Sequence, residues 1–345
     1  MKIAFVTDIH FGARRGSELF LNSHLKFFRN QFIPEIKEKG ISTIIIPGDF
    51  FDNRLAVDSR TIKEVLSLFD NELKSFEIYI VVGNHDSYLE SSIHINSLRV
   101  LEFYKNVHIT NSPESLSFDG KSFYMVPWIT DHQDFLKNLK EVPNHDVCVG
   151  HFNFSNFLMH KGQEADHGLS SELFYEKFKL TISGHFHTRS SKKVGTSEIL
   201  YIGNPFHLTR NDIDDSRGYC ILDTSNLSYE FFENAQSIKF RKFYYPDILN
   251  EEDIKNNHVD IFIKYEDAQD EKVVDAYFKR LEAFGPAFPI NRKTINTLKI
   301  DTPDQMKGSS VPELINEYMS NQKFDNKDRL LEIIFELYDD CKGTL

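Results

Sequence analysis

The sequence has few cysteines and lacks any long apolar run. Its 345 residues include only Cys148, Cys220 and Cys341, which are too few and too far apart for a disulfide framework or a zinc knuckle. A reducing cytoplasm is therefore the expected location. No apolar run approaches the roughly 20 residues that a membrane-spanning helix needs. The apolar run that precedes Thr7 is also too short for the core of a signal peptide.

The chain also has fewer positively charged residues than negatively charged ones. The chain has 40 Lys and Arg residues against 52 Asp and Glu residues, which gives a formal net charge of −12. This balance argues against a DNA-binding protein that relies on a simple basic groove. Binding of any polyanion would need metal ions, a local basic patch or a basic partner. Hydrophobic residues make up 40% of the chain, which is enough for a folded core.

The first 190 residues predict an α/β fold with mixed β-sheets, and the last predicted strand follows directly. Short β-rich runs alternate there with amphipathic stretches of helical period. The predicted helices are Asn22–Lys39 with a kink at Pro34, Ser59–Leu73 and Ile93–Tyr104. The predicted strands are Lys2–Thr7, Thr43–Ile46, Phe76–Val82, Val107–Thr110, Ser122–Pro127, Asp146–Val149, Leu180–Ser183 and Ile199–Ile202.

The pattern changes after about Asp212. A hairpin is predicted for Tyr219–Asp223 and Leu227–Phe232. The runs Val259–Tyr265, Glu271–Phe284 and Thr294–Ile300 then predict a small α+β unit. A linker over Asp301–Ser309 follows. Two amphipathic helices, Ser310–Met319 and Lys327–Cys341, end the chain.

Residues that can bind metals follow five of the predicted strands. Ligands of open α/β sheets collect outside the carboxyl ends of the strands, so these side chains should meet. Each motif alone is weak, but five in this order predict one site. The motifs are Asp8-Ile9-His10, Gly48-Asp49-Phe50-Phe51-Asp52, Gly83-Asn84-His85-Asp86, Gly150-His151 and Gly184-His185-Phe186-His187.

The ligand types narrow the chemistry. Imidazole and carboxylate together suit Mn²⁺, Fe²⁺ or Zn²⁺, and the motifs contain no cysteine. There are enough ligands for two ions. A carboxylate that bridges two cations about 3.5–4 Å apart is typical of phosphoesterases, in which the ions activate water and neutralise phosphate charge.

The ordered motifs resemble those of the calcineurin-like metallophosphoesterases over about residues 1–205. Within that superfamily the chain resembles the DNA-repair nucleases of the meiotic-recombination-eleven and SbcD type, and most of all the nuclease subunits of T-even-like bacteriophages. The residues that carry this likeness include Thr7–Gly12, the run Gly-Asp-Phe-Phe-Asp-Asn-Arg and Ile202–Pro205. The resemblance implies a sandwich of two mixed β-sheets flanked by helices.

The resemblance also implies a domain organisation. Residues 1–240 would form the metallophosphoesterase nuclease domain and residues 241–300 a small α+β cap domain that binds DNA. A linker would span 301–309. Residues 310–345 would form a helix-loop-helix that binds an SMC-like ABC-type ATPase subunit of SbcC type.

Roles for the motif residues follow from the same resemblance. One metal ion would be held by Asp8, His10, Asp49 and His187, and the second by Asp49, Asn84, His151 and His185. His85 would be the general acid. Asp52 stands where many cellular relatives have His, and it would hydrogen-bond the catalytic His85. The alternative for Asp52 is a helix N-cap.

Contacts with substrate are a weaker expectation. Arg14, Arg54, Lys161, His167 and Arg210 lie near the motifs in sequence and could contact substrate. The alternative for each is an ordinary solvated surface residue.

The sequence thus favours a Mn²⁺-dependent DNA exonuclease or endonuclease, with Mg²⁺ as a further candidate ion. It would be the nuclease subunit of an ATPase–nuclease complex in recombination and double-strand-break repair, located in the cytoplasm of a host cell if phage-encoded. A homodimer would form through the predicted helices Ser59–Leu73 and Ile93–Tyr104. The alternatives are a phosphoprotein or small-molecule phosphatase with the same chemistry, and a non-catalytic scaffold. The segments beyond residue 205 favour the nuclease, because a compact phosphatase needs neither a cap nor a tethered helix pair.

Overall fold

A computed structural model describes residues 1–88, 92–160, 162–295, 311–320, 327, 330–331 and 333–335. The chain divides into two compact units, Met1–Ile295 and Asn296–Leu345. In the described part of the chain, no helix is long and apolar enough to cross a membrane.

Strands and helices are numbered here along the chain. The strands are β1 Lys2–Phe5, β2 Thr43–Ile46, β3 Glu77–Val81, β4 Ser87–Tyr88, β5 Ser92–Asn96, β6 Val107–Thr110, β7 Glu114–Phe118, β8 Lys121–Val126, β9 His145–His151, β10 Leu158–His160, β11 Gln163–Glu164, β12 Phe178–Gly184, β13 Ser190–Val194, β14 Ser197–Tyr201, β15 Gly218–Asp223, β16 Ser228–Glu233, β17 Phe240–Tyr244, β18 His258–Lys264 and β19 Asn291–Ile295. The α-helices are α1 Ala13–Gly16, α2 Glu18–Phe27, α3 Ile33–Glu38, α4 Ser59–Leu68, α5 His132–Glu141, α6 Glu172–Lys177, α7 Glu251–Ile254, α8 Glu271–Glu282 and α9 Val311–Ser320.

Two six-stranded mixed sheets form the body of the first unit. Their strand orders are β16-β15-β1-β2-β3-β6 and β13-β14-β12-β9-β8-β7. Along β1, Ile3 and Phe5 join Val149 and Ile182 in the core between the sheets, whereas Ala4 joins the helix-covered core on the other face. Successive side chains of β1 therefore enter two different apolar cores. Because both faces of such a strand are buried, the strand appears in the sequence as a continuous apolar run. The predicted sandwich of two mixed sheets flanked by helices is confirmed.

Most predicted elements are present with shifted ends. The predicted helix Ser59–Leu73 is α4 followed by a π-helical turn at Phe69–Leu73. The predicted helix Asn22–Lys39 begins earlier, at Glu18, and a π-helical turn at Phe28–Phe32 interrupts it. There the N–H of Ile33 bonds five residues back, to Phe28. The wider turn lies directly before Pro34, the residue expected to disturb the helix.

The predicted helix Ile93–Tyr104 is wrong. The structure has β5 and then a 3₁₀-helix at Ser97–Leu101. Ile93 and Ile95 alternate with polar residues, and the Asn96 side chain bonds the Ile93 carbonyl (2.7 Å) and Asn111 (2.8 Å). Such local side-chain bonds offer the backbone an alternative to helix.

The apolar residues considered for a two-fold interface are core residues. The exposed fraction of each is 0–1%, so none is available to a second copy. These residues are Val65, Leu68, Phe69, Leu98 and Leu101. A homodimer therefore stays a prediction from the resemblance alone, and its interface would have to use other residues.

The segment after Asp212 contains the predicted hairpin and the predicted α+β elements. β15 and β16 pair antiparallel. β17, β18 and β19 form a parallel three-stranded sheet with its own apolar cluster against α7 and α8. Residues 296–300 of the last predicted strand lie outside the described residues. The boundary predicted at residue 240 between nuclease and cap domains stays a prediction, since the residues on both sides of it fall within the first compact unit.

The C-terminal unit is described only in part. α9 covers most of the predicted helix Ser310–Met319. Residues 327, 330–331 and 333–335 of the second predicted helix are helical. The predicted linker Asp301–Ser309 and the rest of the second helix lie outside the described residues.

A buried carboxylate ties the three-stranded sheet to the larger domain. Asp260 on β18 is 2% exposed and accepts hydrogen bonds from Arg210 (2.7 Å), Asn291 (2.8 Å) and Lys293 (2.6 Å). Burial alone would raise the pKa of Asp260, but these donors hold it below its ordinary value. The ionised side chain is therefore the stabilising form.

Replacing Asp260 by Asn should lower the free energy of unfolding by about 1.5–3 kcal/mol at neutral pH, the usual worth of hydrogen bonds to a charged group. Urea denaturation measures it. Because the native pKa is lowered, the difference from wild type is present above the ordinary pKa of 3.8 and lost as the pH falls through the native value.

Asp275→Asn is the matched control for this prediction. The side chain of Asp275 is 67% exposed in its pair with Arg292, so its loss should change stability by less than about 1 kcal/mol. Equal effects of the two substitutions would show that Asp260 does not hold the junction.

Candidate metal centre

The five motifs come together at one edge of the sandwich. β1, β2 and β3 are parallel neighbours in one sheet, and β9 and β12 are parallel neighbours in the other. Their carboxyl ends therefore lie on the same side. The backbone N–H groups of Asp8 and His10 bond the carbonyls of Gly48 and Asp49 (3.1 Å each), which joins the first two motifs directly.

Asp8, His10 and His187 form the first group of ligand atoms. His10 Nε2 lies 3.1 Å from His187 Nε2, and His187 Nε2 lies 3.9 Å from Asp8 Oδ1. The Asp8 carboxylate also accepts the backbone N–H of His185 (3.0 Å). A residue of the first sheet thereby holds the last motif of the second sheet.

Asp49, His151 and His185 form the second group, with Asn84 among them. Asn84 Oδ1 lies 2.9 Å from His151 Nε2 and 3.1 Å from His185 Nδ1. His151 Nδ1 lies 2.8 Å from the carbonyl of Pro47. Since a carbonyl only accepts, Nδ1 carries a proton, and Nε2 is the ring atom that faces the group.

Asp49 stands between the two groups. Its Oδ2 lies 3.2 Å from His151 Nε2 and 3.8 Å from His10 Nε2, while its Oδ1 accepts the backbone N–H of His85 (2.9 Å). One carboxylate thus faces a histidine of each group, which is the placement a bridging ligand needs.

The backbone around these ligands is strained or tightly packed. Asp8, His10 and Asp49 each have φ of 51°, and His185 has φ of 89°. Such left-handed conformations are uncommon outside glycine and turns. A Cβ on Gly83 would lie 2.3 Å from the backbone nitrogen of Asp49. This glycine is needed because the third motif passes directly against the backbone and carboxylate of Asp49.

Burial and the charges of neighbouring side chains together determine the protonation of the site. It lowers the pKa of His185 to about 3 and that of His187 well below its ordinary value, so both rings are neutral with a lone pair available. Burial alone would also lower the pKa of His151, but Asp49 beside it raises the value to about 9. His151 in turn overcomes the effect of burial on Asp49 and holds that carboxyl's pKa well below its ordinary value.

The donor set fits a pair of divalent cations. Asp8 and His151 are fully buried and Asp49 is 2% exposed, and a buried carboxylate is costly unless it is paired or binds metal. His10 Nδ1 meets the Asp52 carboxylate (3.3 Å), so Nε2, 3.1 Å from His187 Nε2, is the ring atom that faces the other ligands. Nitrogen and oxygen donors together suit Mn²⁺, Fe²⁺ or Zn²⁺. All seven expected ligands lie in this cluster, though their roles stay predictions.

A family model for calcineurin-like phosphoesterases matches residues 1–189, more than half of the chain. The chain belongs to this family. It is a hydrolase of phosphoester bonds, and its site is of the metallophosphoesterase type.

Two known proteins and one solved structure are similar to this chain. The phosphoesterase is 29% identical over 328 residues to exonuclease subunit 1 of Enterobacteria phage T4, covering 93% of this chain and 92% of that protein. It is 21% identical over 259 residues to the SbcD component of the nuclease SbcCD from Staphylococcus epidermidis, covering 66% and 67%. A novel archaeal phosphodiesterase matches with 20% identity and a TM-score of 0.36, over 68% of this chain and 99% of that chain.

The contact expected between Asp52 and His85 of this phosphoesterase differs from the prediction. His85 Nδ1 bonds the backbone carbonyl of Asp52 (2.6 Å), whereas the Asp52 carboxylate lies 3.3 Å from His10 Nδ1. The backbone N–H of Asp52 bonds the Phe11 carbonyl (3.1 Å), which joins this residue to the loop of the first motif. The alternative of a helix cap is also wrong, because Asp58 caps α4.

The residues expected to contact substrate do not form a group in the described part of the phosphoesterase. Arg14 bonds the Leu208 carbonyl (2.6 Å), and Arg210 is paired with Asp260 (2.7 Å). Arg54 is partly exposed and His167 exposed. Lys161 lies outside the described residues. Arg210 thus has a structural partner that the sequence did not reveal.

Sequence reasoning assigned no role to three residues that shape this site. Asp86 is fully buried and accepts the backbone N–H groups of Phe50 (3.3 Å), Phe51 (3.0 Å) and Gly83 (3.0 Å), joining two motif loops. Burial and the charge of Asp49 raise its pKa to about 6. The other two are Arg217 and Trp128. Asp86 could have been noticed as the last residue of its motif, and Trp128 as the sole tryptophan.

Arg217 holds the loop that carries His187. It is 5% exposed, and its guanidinium donates to the His187 carbonyl and to the side chains of Asn204, Asp212 (2.8 Å) and Asp215 (3.0 Å). One cation therefore joins the last ligand motif to two later loops of the phosphoesterase. The shape of the first ligand group depends on it.

Replacing Arg217 by Ala should lower Mn²⁺ affinity about 10- to 100-fold, as loss of a partner behind a ligand usually does. Arg217→Lys should be intermediate, because an ammonium lacks the planar fork that reaches all four acceptors. Calorimetric titration with Mn²⁺ measures both. Arg99→Ala, whose side chain is 64% exposed, is the control. A folded Arg217→Ala protein with wild-type affinity would contradict this assignment.

Proposed function

We propose that this phosphoesterase is a DNA nuclease that uses Mn²⁺ and works as a subunit with an SMC-like ABC-type ATPase in recombination and double-strand-break repair. The observation that carries the proposal is the extent of the likeness to the phage exonuclease subunit. That likeness covers 93% of the chain, whereas the phosphoesterase family match ends at residue 189. The likeness therefore includes the later segments that a compact phosphatase would not need.

Charge supports the same conclusion. The chain carries −12 formal charge, and DNA binding depends on neutralising phosphates. Divalent cations bound by the two ligand groups would neutralise the phosphate and activate a water molecule for attack. Asp8 and Asp49 would hold these cations in a buried position, where electrostatic stabilisation of the phosphate is stronger than in water.

His85 is placed to donate the proton that the leaving oxygen needs. Its Nδ1 donates to the Asp52 carbonyl (2.6 Å), since a carbonyl cannot be the donor. Nε2 is therefore the ring atom that can gain and lose a proton during the reaction. The ring is partly exposed and its centroid lies 4.9 Å from that of His10. His85 thus borders the first ligand group from the solvent side of the cluster.

Asp52 acts, in this proposal, through His10. Its carboxylate lies 3.3 Å from His10 Nδ1, on the opposite ring atom from the one that faces His187 and Asp49. A carboxylate behind a ligand histidine fixes the ring orientation and increases its basicity. Asp52 is therefore a positioning residue for the metal centre.

The deciding experiment compares two substrates with the same enzyme. Wild-type protein with Mn²⁺ is given linear duplex DNA and, separately, p-nitrophenyl phosphate. Cleavage of DNA with little release of nitrophenol supports the nuclease. Efficient hydrolysis of the monoester without DNA cleavage would favour the phosphatase alternative, and loss of both activities with intact metal binding would favour a scaffold.

Replacing His85 by Ala should reduce DNA cleavage by about 10²- to 10⁴-fold, the usual contribution of a general acid. Bound metal, measured by mass spectrometry of the dialysed protein, should stay near wild type. Asp49→Ala is the contrasting variant and should lose metal, because Asp49 faces both ligand groups. Equal metal loss in the two variants would show that this division of roles is wrong.

The C-terminal unit is proposed to bind the ATPase subunit. Tyr318 on α9 is 51% exposed, and Leu330 and Ile333 in the following helical residues are 39% and 42% exposed. Helices this short are marginal in water without a packing surface. An apolar helix face laid into a partner's groove is a common solution.

Deleting residues 302–345 should leave Mn²⁺-dependent cleavage by the isolated subunit largely intact and abolish co-purification with the ATPase subunit. Tyr318→Asp with Leu330→Asp should have the same effect without the deletion. Asn316→Ala, at an exposed polar position of α9, is the control. A truncated protein that binds the ATPase as tightly as full length would place the docking surface elsewhere.

A further inference from the structure

The sole tryptophan of the chain stands beside the metal centre. Trp128 follows the end of β8, and its backbone N–H bonds the Val82 carbonyl (2.8 Å), two residues before Asn84. Its ring centroid lies 5.2 Å from that of His185 and 6.0 Å from that of His151. The ring therefore borders the second ligand group.

Trp128 is not enclosed by the core. The residue is partly exposed, and its indole N–H donates no hydrogen bond to the residues that the structure describes. A large aromatic side chain is more often buried with its polar atom paired. At the edge of a site for phosphate chemistry, an open indole offers a flat apolar surface.

The same residue lines a groove of about 280 Å³. Its lining includes Ile93, Pro113, Ile129 and Thr130. This volume is near the lower end of small-molecule pockets, about 300 Å³. It suits one planar ring better than an extended chain.

The charges of the groove argue for a neutral ring and against a phosphate. Asp131 and Asp134 line it, and among the residues that the structure describes no Lys or Arg does. Asp131 caps α5, and Asp134 accepts from Asn138 (3.0 Å). A phosphate would be repelled here, whereas a nucleobase is uncharged and its amino groups can donate to carboxylates.

We propose that Trp128 stacks against the nucleobase next to the phosphate that is cleaved, with the groove receiving that base. The proposal rests on the nuclease function proposed above and adds a base subsite to it. Stacking on an indole does not distinguish one base from another, because every base has a π-face. The subsite therefore binds nucleotides without sequence preference.

The chain's single tryptophan makes stacking directly measurable. Addition of a single-stranded oligonucleotide to the full-length His85→Ala protein with bound Mn²⁺, which should keep its metal but cleave slowly, should quench the intrinsic tryptophan fluorescence. The matched oligonucleotide with abasic nucleotides throughout should quench little, and inorganic phosphate should not quench. Equal quenching by the normal and abasic oligonucleotides would overturn the proposal.

Kinetics provide the second test. With Mn²⁺, Trp128→Ala should raise KM about 5- to 150-fold, the range that base stacking supports, and Trp128→Phe should be milder. An abasic nucleotide at the cleaved position should raise the wild-type KM similarly and leave the KM of Trp128→Ala almost unchanged. If Trp128 only positions His185, the substitution would instead impair both substrates equally and lower Mn²⁺ affinity, and the base subsite would be disproved.

The two proposals fail in different ways. A wild-type protein that shows base-dependent quenching but cleaves no DNA would refute the nuclease function and leave the stacking site supported. Cleavage of DNA with identical constants for normal and abasic ends would refute the stacking site alone. Melting curves of both Trp128 variants identify any loss of folding.

Discussion

The buried carboxylate of Asp49 is the interaction on which the rest of the site depends. It faces His151 at 3.2 Å and His10 at 3.8 Å, and the backbone of His85 holds its other oxygen. A charge in this position is unfavourable unless partners compensate for its lost hydration. The first three motifs and His151 must therefore lie together in the folded protein. A divalent cation would complete the compensation of the buried charge.

The fold meets this requirement with hydrogen bonds and close packing that hold the motif loops in place. Asp86 accepts three backbone N–H groups from two motif loops. Arg217 joins the His187 loop to later segments. Gly83 permits the backbone to pass against Asp49. None of these residues is an expected ligand. The geometry of the site therefore depends on residues behind the ligands as well as on the ligands.

In the proposed function an acidic chain acts on a polyanionic substrate, and different parts of the protein meet its charge and its bases. In the proposed mechanism phosphate charge is met at the metal centre, where ligands converge from both sheets. In the same proposals, an aromatic ring beside the centre takes a base, and exposed apolar residues of the C-terminal unit meet a partner. Arg210, which might have supplied positive charge for substrate, instead stabilises the sheet of residues 240–295 through Asp260.

The sequence by itself determined the sandwich fold, the family and the set of residues gathered at the site. Strand-end motifs after buried apolar runs are local signals, and parallel strands bring their carboxyl ends to one edge. The sequence did not predict which side chains meet across the fold. The Asp52 carboxylate meets His10 rather than His85, Arg210 meets Asp260, and Ile93–Tyr104 forms a strand and a 3₁₀-helix. The first two outcomes depend on contacts between residues distant in sequence, which only the tertiary structure decides.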